Sequence, residues 1–261
     1  MLLSNEAHVH YRRNALLEVI CQIRFPSILK IDVEEPAAFQ EQIRRDFPKY
    51  FARQEQQPAL PGAPVPAQGN RPATITNHNF ISADGQWKIN LTRDFFSLST
   101  VRYGSWEDFA RRFDQPFAKF LQLYQPAYFE RIGLRYVNAF ARTAEQARAA
   151  QWRDWIAPHF LGVLCAEDLP DSAVRKNTVN LELTLPDGCA LRTHAGPGMV
   201  KRPGQPDEKL ARFILDNDLS VSGKLSAPQT AERLVTLHED AYRVFRGAIT
   251  DELSELLEPE A

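Results

Sequence analysis

Two short stretches, Phe-Ser-Leu-Ser at residues 96–99 and Leu-Ser-Val-Ser at residues 219–222, carry the prediction of the fold. Each alternates apolar and polar residues, which is typical of a strand with one buried face. An apolar stripe at helical spacing follows each stretch, and the pattern recurs at an offset of 123 to 125 residues. The corresponding positions are Phe109 with Leu234, Phe117 with Tyr242, and Phe120 with Phe245. We therefore expect an internal duplication.

The chain before residues 96–99 begins the first copy. Residues 15–25 are rich in Leu, Val and Ile and end at Pro26, which indicates a strand, because proline cannot donate to a ladder. Pro36 suits the first turn of a helix, and the apolar residues that follow it recur every four positions. The sequence thus predicts a strand and then a helix.

A meander and an aromatic helix complete the first copy. Residues 74–103 predict three antiparallel strands, with a hairpin at Asp84-Gly85. Gly104-Ser105 offers an N-cap for the helix behind them. Pro116 lies inside that helix, where it removes a hydrogen bond, so we expect a kink or a break there.

The second copy repeats this order. Its first strand is predicted at residues 129–140 and a helical stretch at residues 144–160. Strands are expected next at residues 179–185, 190–193 and 212–225, the last of them around Asp216-Asn217-Asp218, which we interpret as a turn. A long helix is predicted from about residue 230 to residue 257.

The fold class predicted is therefore α+β, a tandem duplication of a β-α-β-β-β-α unit with antiparallel curved sheets packed against long helices. The first repeat spans residues 1–127 and the second spans residues 128–261. A Pro-rich loop at residues 54–72 is inserted in the first, and a Gly/Pro-rich loop at residues 194–209 in the second. Loops are where binding residues concentrate, so these insertions would distinguish the copies.

Composition excludes several classes of protein. With 44% hydrophobic residues among 261, the chain can bury an ordinary core, yet no apolar run approaches the roughly 20 residues of a membrane span. The N-terminus lacks the basic and apolar segments of a secretory signal, so we expect a cytoplasmic protein without a membrane partner. Cys21, Cys165 and Cys189 are odd in number and far apart, which suits buried thiols in a reducing compartment.

The net charge of −2 divides into +2 for residues 1–129 and −4 for residues 130–261. Neither half has the excess of positive charge that marks a nucleic-acid binder. Local basic patches leave that class of partner open. The residues predicted to bind a partner are Arg44, Arg45 and Lys49 on the first helix together with Arg53, and Arg175, Lys176, His194, Lys201 and Arg202 in the second half.

Candidate catalytic and metal-binding residues are few. His8 and His10 would share one face of a strand, as a metal pair requires, but no third ligand has a recognisable spacing, so we predict a polar arm and no metal site. Asp94, Asp216 and Asp218 are interpreted as turn residues that bond their own backbone.

Other residues also lack a catalytic context. His238 is expected at the boundary of a core, although a general base is the alternative. His194 precedes Ala195-Gly196-Pro197-Gly198, which fits no nucleotide-binding fingerprint. No Gly-x-Ser-x-Gly elbow occurs either. The sequence therefore favours a protein without catalytic activity and without a cofactor.

Four further stretches form a recognisable set: residues 11–19, 40–50, 237–242 and 249–253, with Phe245. Together they resemble a sporadically distributed family of uncharacterised bacterial proteins of about this length. The likeness covers nearly the whole chain and includes no catalytic signature. It implies a patchy distribution, which is what accessory genes of mobile elements, defence loci and toxin–antitoxin pairs show.

Three hypotheses of function follow. The first is a non-enzymatic protein that binds another protein, as an accessory or neutralising component of such a locus. The second is a nucleic-acid-binding protein that uses a pseudo-symmetric saddle, by analogy of shape. The third is a small-ligand-binding protein or an enzyme, with a pocket between sheet and helices near Asp94, Asp216, Asp218, His194 or His238.

Overall fold

The computed structural model describes residues 1–56, 74–143, 145–200 and 210–260. In this part of the chain the fold is mixed α+β, with an antiparallel sheet of nine strands accompanied by helices. The strands are β1 (Leu16–Arg24), β2 (Lys49–Gln56), β3 (Thr74–Ile81), β4 (Trp87–Leu91), β5 (Phe95–Thr100), β6 (Phe129–Phe140), β7 (Val179–Thr184), β8 (Ala190–Gly198) and β9 (Arg212–Leu225). Their order in the sheet is β2-β3-β4-β5-β1-β6-β9-β8-β7.

The helices differ greatly in length. They are α1 (Lys30–Val33), α2 (Ala37–Ile43), α3 (Trp106–Tyr124), α4 (Gln146–Ala149), α5 (Trp152–Trp155), α6 (Ala227–Ala248) and α7 (Asp251–Leu256), with 3-10 turns at Pro158–Phe160, Gly162–Cys165 and Asp171–Ala173. Among the described residues, no helix combines the length and the apolar character needed to cross a membrane.

The chain divides into two compact units. The terminal unit comprises residues 1–19, 133–221 and 231–261, and the inner unit comprises residues 20–132 and 222–230. The divisions fall inside β1, β6, β9 and α6.

In the inner unit, helices α2 and α3 pack on one face of the strands. Phe39 of α2 meets Phe80 of β3, with ring centroids 5.3 Å apart. Phe117 of α3 meets Phe96 of β5 at 5.6 Å. Because side chains alternate along a strand, the intervening positions face the other way. That opposite face carries the neighbours Asn79, Asn90 and Ser97, and Asn90 donates to Asn79 Oδ1 at 2.7 Å.

The core of the terminal unit lies beneath α6 and around the short helix α5. Leu191 of β8 pairs with Leu219 of β9, and both are buried. Trp152 packs on Phe213 with ring centroids 5.5 Å apart. Helix α6 buries a stripe at spacings of three and four, which is the apolar face of an amphipathic helix. The stripe consists of Leu234, Leu237, Ala241, Val244 and Ala248.

Most predicted strands and the Ser105 cap are present, but three helix predictions need correction. Helix α3 continues through Pro116, so a break there is wrong, whereas a kink stays a prediction; the proline side chain is buried in the aromatic core, where packing offsets the lost hydrogen bond. The C-terminal helix is interrupted, because Ile249 forms a β-bridge with Ile156 and Thr250 caps α7. Residues 146–160 form short helical pieces and not one helix.

Strands also enter both predicted loops. Strand β2 continues to Gln56, so the first residues of the predicted loop at 54–72 belong to an edge strand, and residues 57–72 lie outside the described residues. In the second half, His194 to Gly198 belong to β8, where Gly196 closely approaches the carbonyl oxygen of Asn177. Residues 201–209 likewise fall outside the described ranges.

Candidate functional site

The predicted basic residues of the first half lie around a strand and not along one helix. Helix α2 ends at Ile43, so Arg44 is its C-cap and Arg45 follows in a turn. Lys49 begins β2, and Arg53 lies in the same strand. The placement on the first helix is therefore wrong, because α2 already buries its stripe after two turns. The four cations nevertheless remain close together in sequence.

Strand β2 is an edge strand of the sheet. It stands at one end of the strand order and pairs antiparallel with β3, from Lys49 opposite Ile81 to Gln56 opposite Thr74. All of its residues are exposed except Phe51, which is half-buried. An edge strand presents a row of backbone N–H and C=O groups that no neighbouring strand pairs.

The charge along β2 and the turn before it is positive. Arg44, the C-cap of α2, pairs with Glu41 at 3.2 Å. Within the described ranges, Arg45, Lys49 and Arg53 form no ion pair; Lys49 donates to the carbonyl oxygen of Ala83 at 2.8 Å. The Arg53 guanidinium lies 5.0 Å from the Phe51 ring centroid. Asp46 and Glu55 lie in the same segment, so the positive charge is a small excess. The edge thus offers unpaired backbone groups together with a small excess of positive charge.

The predicted binding residues of the second half are dispersed. Arg175 and Lys176 are exposed and follow a 3-10 turn. His194 is exposed on β8, where Nδ1 lies 2.7 Å from Asn180 Oδ1. Lys201 and Arg202 lie outside the described residues.

The three aspartates considered as turn residues have different environments. Asp94 lies in the turn between β4 and β5 and accepts a hydrogen bond from Thr92 Oγ1 at 2.8 Å, as a turn residue should. Asp216 and Asp218 instead lie within the continuous strand β9, so the turn interpretation is wrong for them. Asp216 accepts a hydrogen bond from Arg135 Nε at 2.7 Å. Cross-strand pairing here overrides the turn propensity of Asp and Asn.

The N-terminal arm brings histidines together that the sequence separates. The ring centroid of His8 lies 5.3 Å from that of His10 and 5.5 Å from that of His238. His8 also contacts the ring of Tyr242 at 4.0 Å. Tyr136 shares a hydrogen bond of 2.9 Å with His238 Nδ1. The group is an aromatic and imidazole cluster against α6, and a third imidazole does lie near the first two.

A different set of side chains has the geometry of a metal site. Within the described residues, one group of at least three donors has all its ligand atoms within 4.8 Å of one another: Asp187, Cys189 and Asp240. The hairpin turn between β7 and β8 supplies the first two, and α6 supplies the third. Asp187 is exposed, whereas Cys189 and Asp240 are buried, at 0% and 7% exposure.

Backbone contacts hold the turn in this form. The Cys189 N–H donates to Asp187 Oδ1 at 3.0 Å, and the Leu185 N–H donates to the Cys189 carbonyl at 2.7 Å. Gly188 has φ +85°, the left-handed conformation that favours glycine at this position. The Pro-Asp-Gly turn predicted from the sequence thus also points a carboxylate and a thiol toward α6.

The electrostatic environment of this group is negative. Burial raises the pKa of Cys189 to about 12, and the charges of Asp187, Asp240 and Asp218 add to the rise. Burial also raises the pKa of Asp240, and the charge of Asp187 and a hydrogen bond with its carboxyl add to the rise, while Arg243 partly offsets it. Asp240 Oδ1 faces Arg243 Nη1 at 3.2 Å, but Asp240 Oδ2 is buried and, when both carboxyls are ionised, has no hydrogen-bond partner among the described residues.

The inner unit also contains a groove of about 290 Å³. Trp87, Phe47 and Pro116 contribute apolar surface to it. Arg111 and Arg112 line it as well, but both pair with Asp108, and Arg112 lies 4.7 Å over the Trp87 ring. Asp46, Ser82 and Gln115 line it too, so the groove offers a mixed apolar and polar surface.

Sequence reasoning found neither the group of Asp187, Cys189 and Asp240 nor the edge strand β2, for separate reasons. Asp187 and Cys189 are two residues apart, but Asp240 is 51 residues further along the chain. The sequence therefore shows no metal-ligand spacing that would identify the group. The sequence did not show the edge strand, because Tyr50, Phe51 and Ala52 are consecutive and the remaining positions of β2 are polar, so the alternation that marks a strand is absent. Comparisons with protein-family models, with curated proteins and with solved structures give no match.

Proposed function

We propose that this chain is a non-enzymatic partner-binding protein and that β2 docks an extended, acidic segment of a second protein. The single observation that supports this is the edge strand itself, which is exposed along nearly all its length and where basic residues outnumber acidic ones. A segment added as a further strand would satisfy backbone groups that now face solvent. Arg45, Lys49 and Arg53 would then favour acidic side chains.

The internal duplication stays part of this proposal. Read outward from β1, the strands are β5, β4 and β3, and read outward from β6 they are β9, β8 and β7. This equivalent order supports two copies of one unit. The copies differ at their outer ends, because only the first continues into a further strand, β2. A difference of this kind would let one copy bind a partner while the other does not.

Co-expression tests the proposal most directly. The resemblance to patchily distributed proteins suggests that the partner is encoded by an adjacent gene, so the full chain is co-expressed with each neighbouring product. A photoreactive residue replaces exposed Ala52 of β2 in one variant and exposed Leu183 of β7, at the other edge, in a matched variant. We expect cross-links from position 52 to an acidic stretch of the partner and none from position 183.

Charge reversal then tests whether β2 is the docking surface, separately from whether the chain binds a partner. Lys49→Glu with Arg53→Glu should raise the Kd of a synthetic peptide carrying that stretch at least about tenfold, as loss of complementary charge at an interface does. Arg175→Glu with Lys176→Glu is the matched control, since that pair is also exposed. If only the control pair weakens binding, partner binding stands and docking at β2 is wrong. If no neighbouring product binds, the proposed function fails.

Nucleic acid is the other class of partner that basic residues can serve. A mobility-shift titration at low salt distinguishes it, because phosphate contacts make binding fall steeply with salt concentration. Salt-sensitive retardation of duplex or single strands, removed by Lys49→Glu with Arg53→Glu, would replace a protein partner with a nucleic acid at the same surface.

A further inference from the structure

The turn between β7 and β8 and the middle of helix α6 converge on one point. Asp187 and Cys189 come from the turn, Asp240 comes from the helix, and their donor atoms all lie within 4.8 Å of one another. Two carboxylates so close together repel unless a cation or a shared proton lies between them. A cation or a proton must therefore lie between Asp187 and Asp240.

Asp240 Oδ2 is the atom of this group that needs a partner. It is buried, the Asp240 side chain is only 9% exposed, and with both carboxyls ionised it has no hydrogen-bond partner among the described residues. A hydrogen bond between Asp187 and Asp240 forms only while one of the two carboxyls keeps its proton. A cation would take the place of that proton, and it would also use the Cys189 sulfur, which a shared proton leaves out.

We propose that Asp187, Cys189 and Asp240 bind one divalent transition-metal ion, with Zn²⁺ the best match. A thiolate with two carboxylate oxygens supplies three ligands, which leaves the fourth position of a tetrahedral ion for water. The soft sulfur ligand selects against Mg²⁺ and Ca²⁺, which prefer oxygen ligands alone. Exposed Asp187 provides the route by which the ion enters.

Negative charges outnumber positive ones around the group. Asp218 adds a further negative charge that acts on Cys189, whereas Arg243 faces Asp240 and partly opposes a cation there. Binding would release the thiol proton to solvent, so uptake of the ion is accompanied by proton release. The ion would tie the β7–β8 hairpin to α6 within the terminal unit. This inference is independent of docking at β2.

The test uses the full chain freed of metal with a chelator. Zn²⁺ is titrated by calorimetry, and Co²⁺ is added as a spectroscopic substitute, since a cobalt–thiolate bond gives a charge-transfer absorption. We expect one ion per chain, a cobalt–thiolate band, and a higher melting temperature with Zn²⁺. Cys189→Ser and Asp240→Asn should each weaken Zn²⁺ binding by about 100-fold or more, because ligand loss exceeds the 10–100-fold typical of supporting residues.

Two further variants make the result decisive. Cys165→Ser removes an exposed thiol outside the group and should leave the stoichiometry, the affinity and the cobalt band unchanged. Asp187→Asn alters only the exposed turn and keeps an oxygen for the Cys189 N–H, so it tests the ligand set if a buried variant does not fold. No Zn²⁺ uptake, or a cobalt band that persists in Cys189→Ser and disappears in Cys165→Ser, overturns the proposal.

Discussion

The guanidinium of Arg135 on β6 donates two hydrogen bonds to the carboxylate of Asp216 on β9, with Nε 2.7 Å from Oδ1. Hydrogen bonding to Asp216 is the main cause that raises the pKa of Arg135. The Asp216 side chain is 15% exposed and the Arg135 side chain 46%. A residue interpreted as part of a turn thus joins two strands.

We expect Asp216→Ala to lower the free energy of unfolding by about 1 kcal/mol. This value is at the upper end for ion pairs that water partly screens, and we expect it because the contact is bidentate. Urea denaturation measures the change. The control is Glu182→Ala, which removes the more exposed cross-strand pair with Arg192 at 3.3 Å and should cost much less. Equal losses in the two variants would mean that the bidentate geometry contributes nothing.

The pair of Arg142 and Asp171 should contribute far more to stability. Its side chains are 8% and 14% exposed, the Nη1–Oδ2 distance is 2.9 Å, and the guanidinium lies 3.7 Å over the ring of Trp152. Asp171→Ala would leave a buried cation without its counter-charge. We expect a loss of about 3–5 kcal/mol in the free energy of unfolding. Denaturant unfolding of Glu260→Ala, which removes an exposed partner of Arg12, gives the matched control and should show little change.

His78 should make stability depend on pH. Burial lowers its pKa from the ordinary 6.5, although the carbonyl of Ile31 and the charges of Asp32 and Glu35 partly oppose the shift. The folded state therefore prefers the neutral ring. Its contribution to stability is complete above the unfolded-state pKa near 6.5 and is lost as the pH falls through the lower folded-state pKa.

Histidine NMR titration and unfolding at several pH values measure this effect. We expect a His78 pKa below 6.5 in the folded protein and a flatter pH profile of stability in His78→Gln. A folded-state pKa above 6.5 would reverse the predicted sign.

The N-terminal arm should need a glycine at position 247 in order to pack against α6. A Cβ at this position would lie 2.3 Å from the carbonyl oxygen of Leu2, although Ala is otherwise the better helix former by about 1 kcal/mol. We expect Gly247→Ala to displace the arm and to increase amide hydrogen exchange at Ser4, which donates to the Arg243 carbonyl at 3.0 Å. Gly104→Ala, where a Cβ meets nothing within 4 Å, is the control. Unchanged exchange at Ser4 would contradict the prediction.

The strands with one buried face were predictable because their pattern is local. Residues 96–99 lie within β5, residues 129–140 match β6, and Asp84-Gly85 forms a turn with φ +74° at the glycine. Phe109, Phe117 and Phe120 are buried as their spacing indicates. The period of the apolar residues specifies the conformation and the buried face of the strands and of α3, and the Asp-Gly pair by itself specifies the turn.

The buried stripe of α6 lies one residue from the positions that the proposed duplication aligns with α3. Tyr242 and Phe245 are half-buried, whereas their neighbours Ala241 and Val244 are buried. An offset of 124 residues would pair Phe117 with Ala241 and Phe120 with Val244. Tyr242 and Phe245 instead contact the N-terminal arm. The duplication and its register stay predictions.

The sequence by itself determined the α+β class, the strands whose apolar face is regular, and the helices with an unbroken stripe, since these depend on residues close together in the chain. Only the tertiary structure decided that β2 is an exposed edge, that Asp216 pairs with Arg135, and that Asp187 and Cys189 meet Asp240. Polar side chains carry no period, and their partners lie far away in sequence. Their roles therefore become visible only when the packing of the core brings distant segments together.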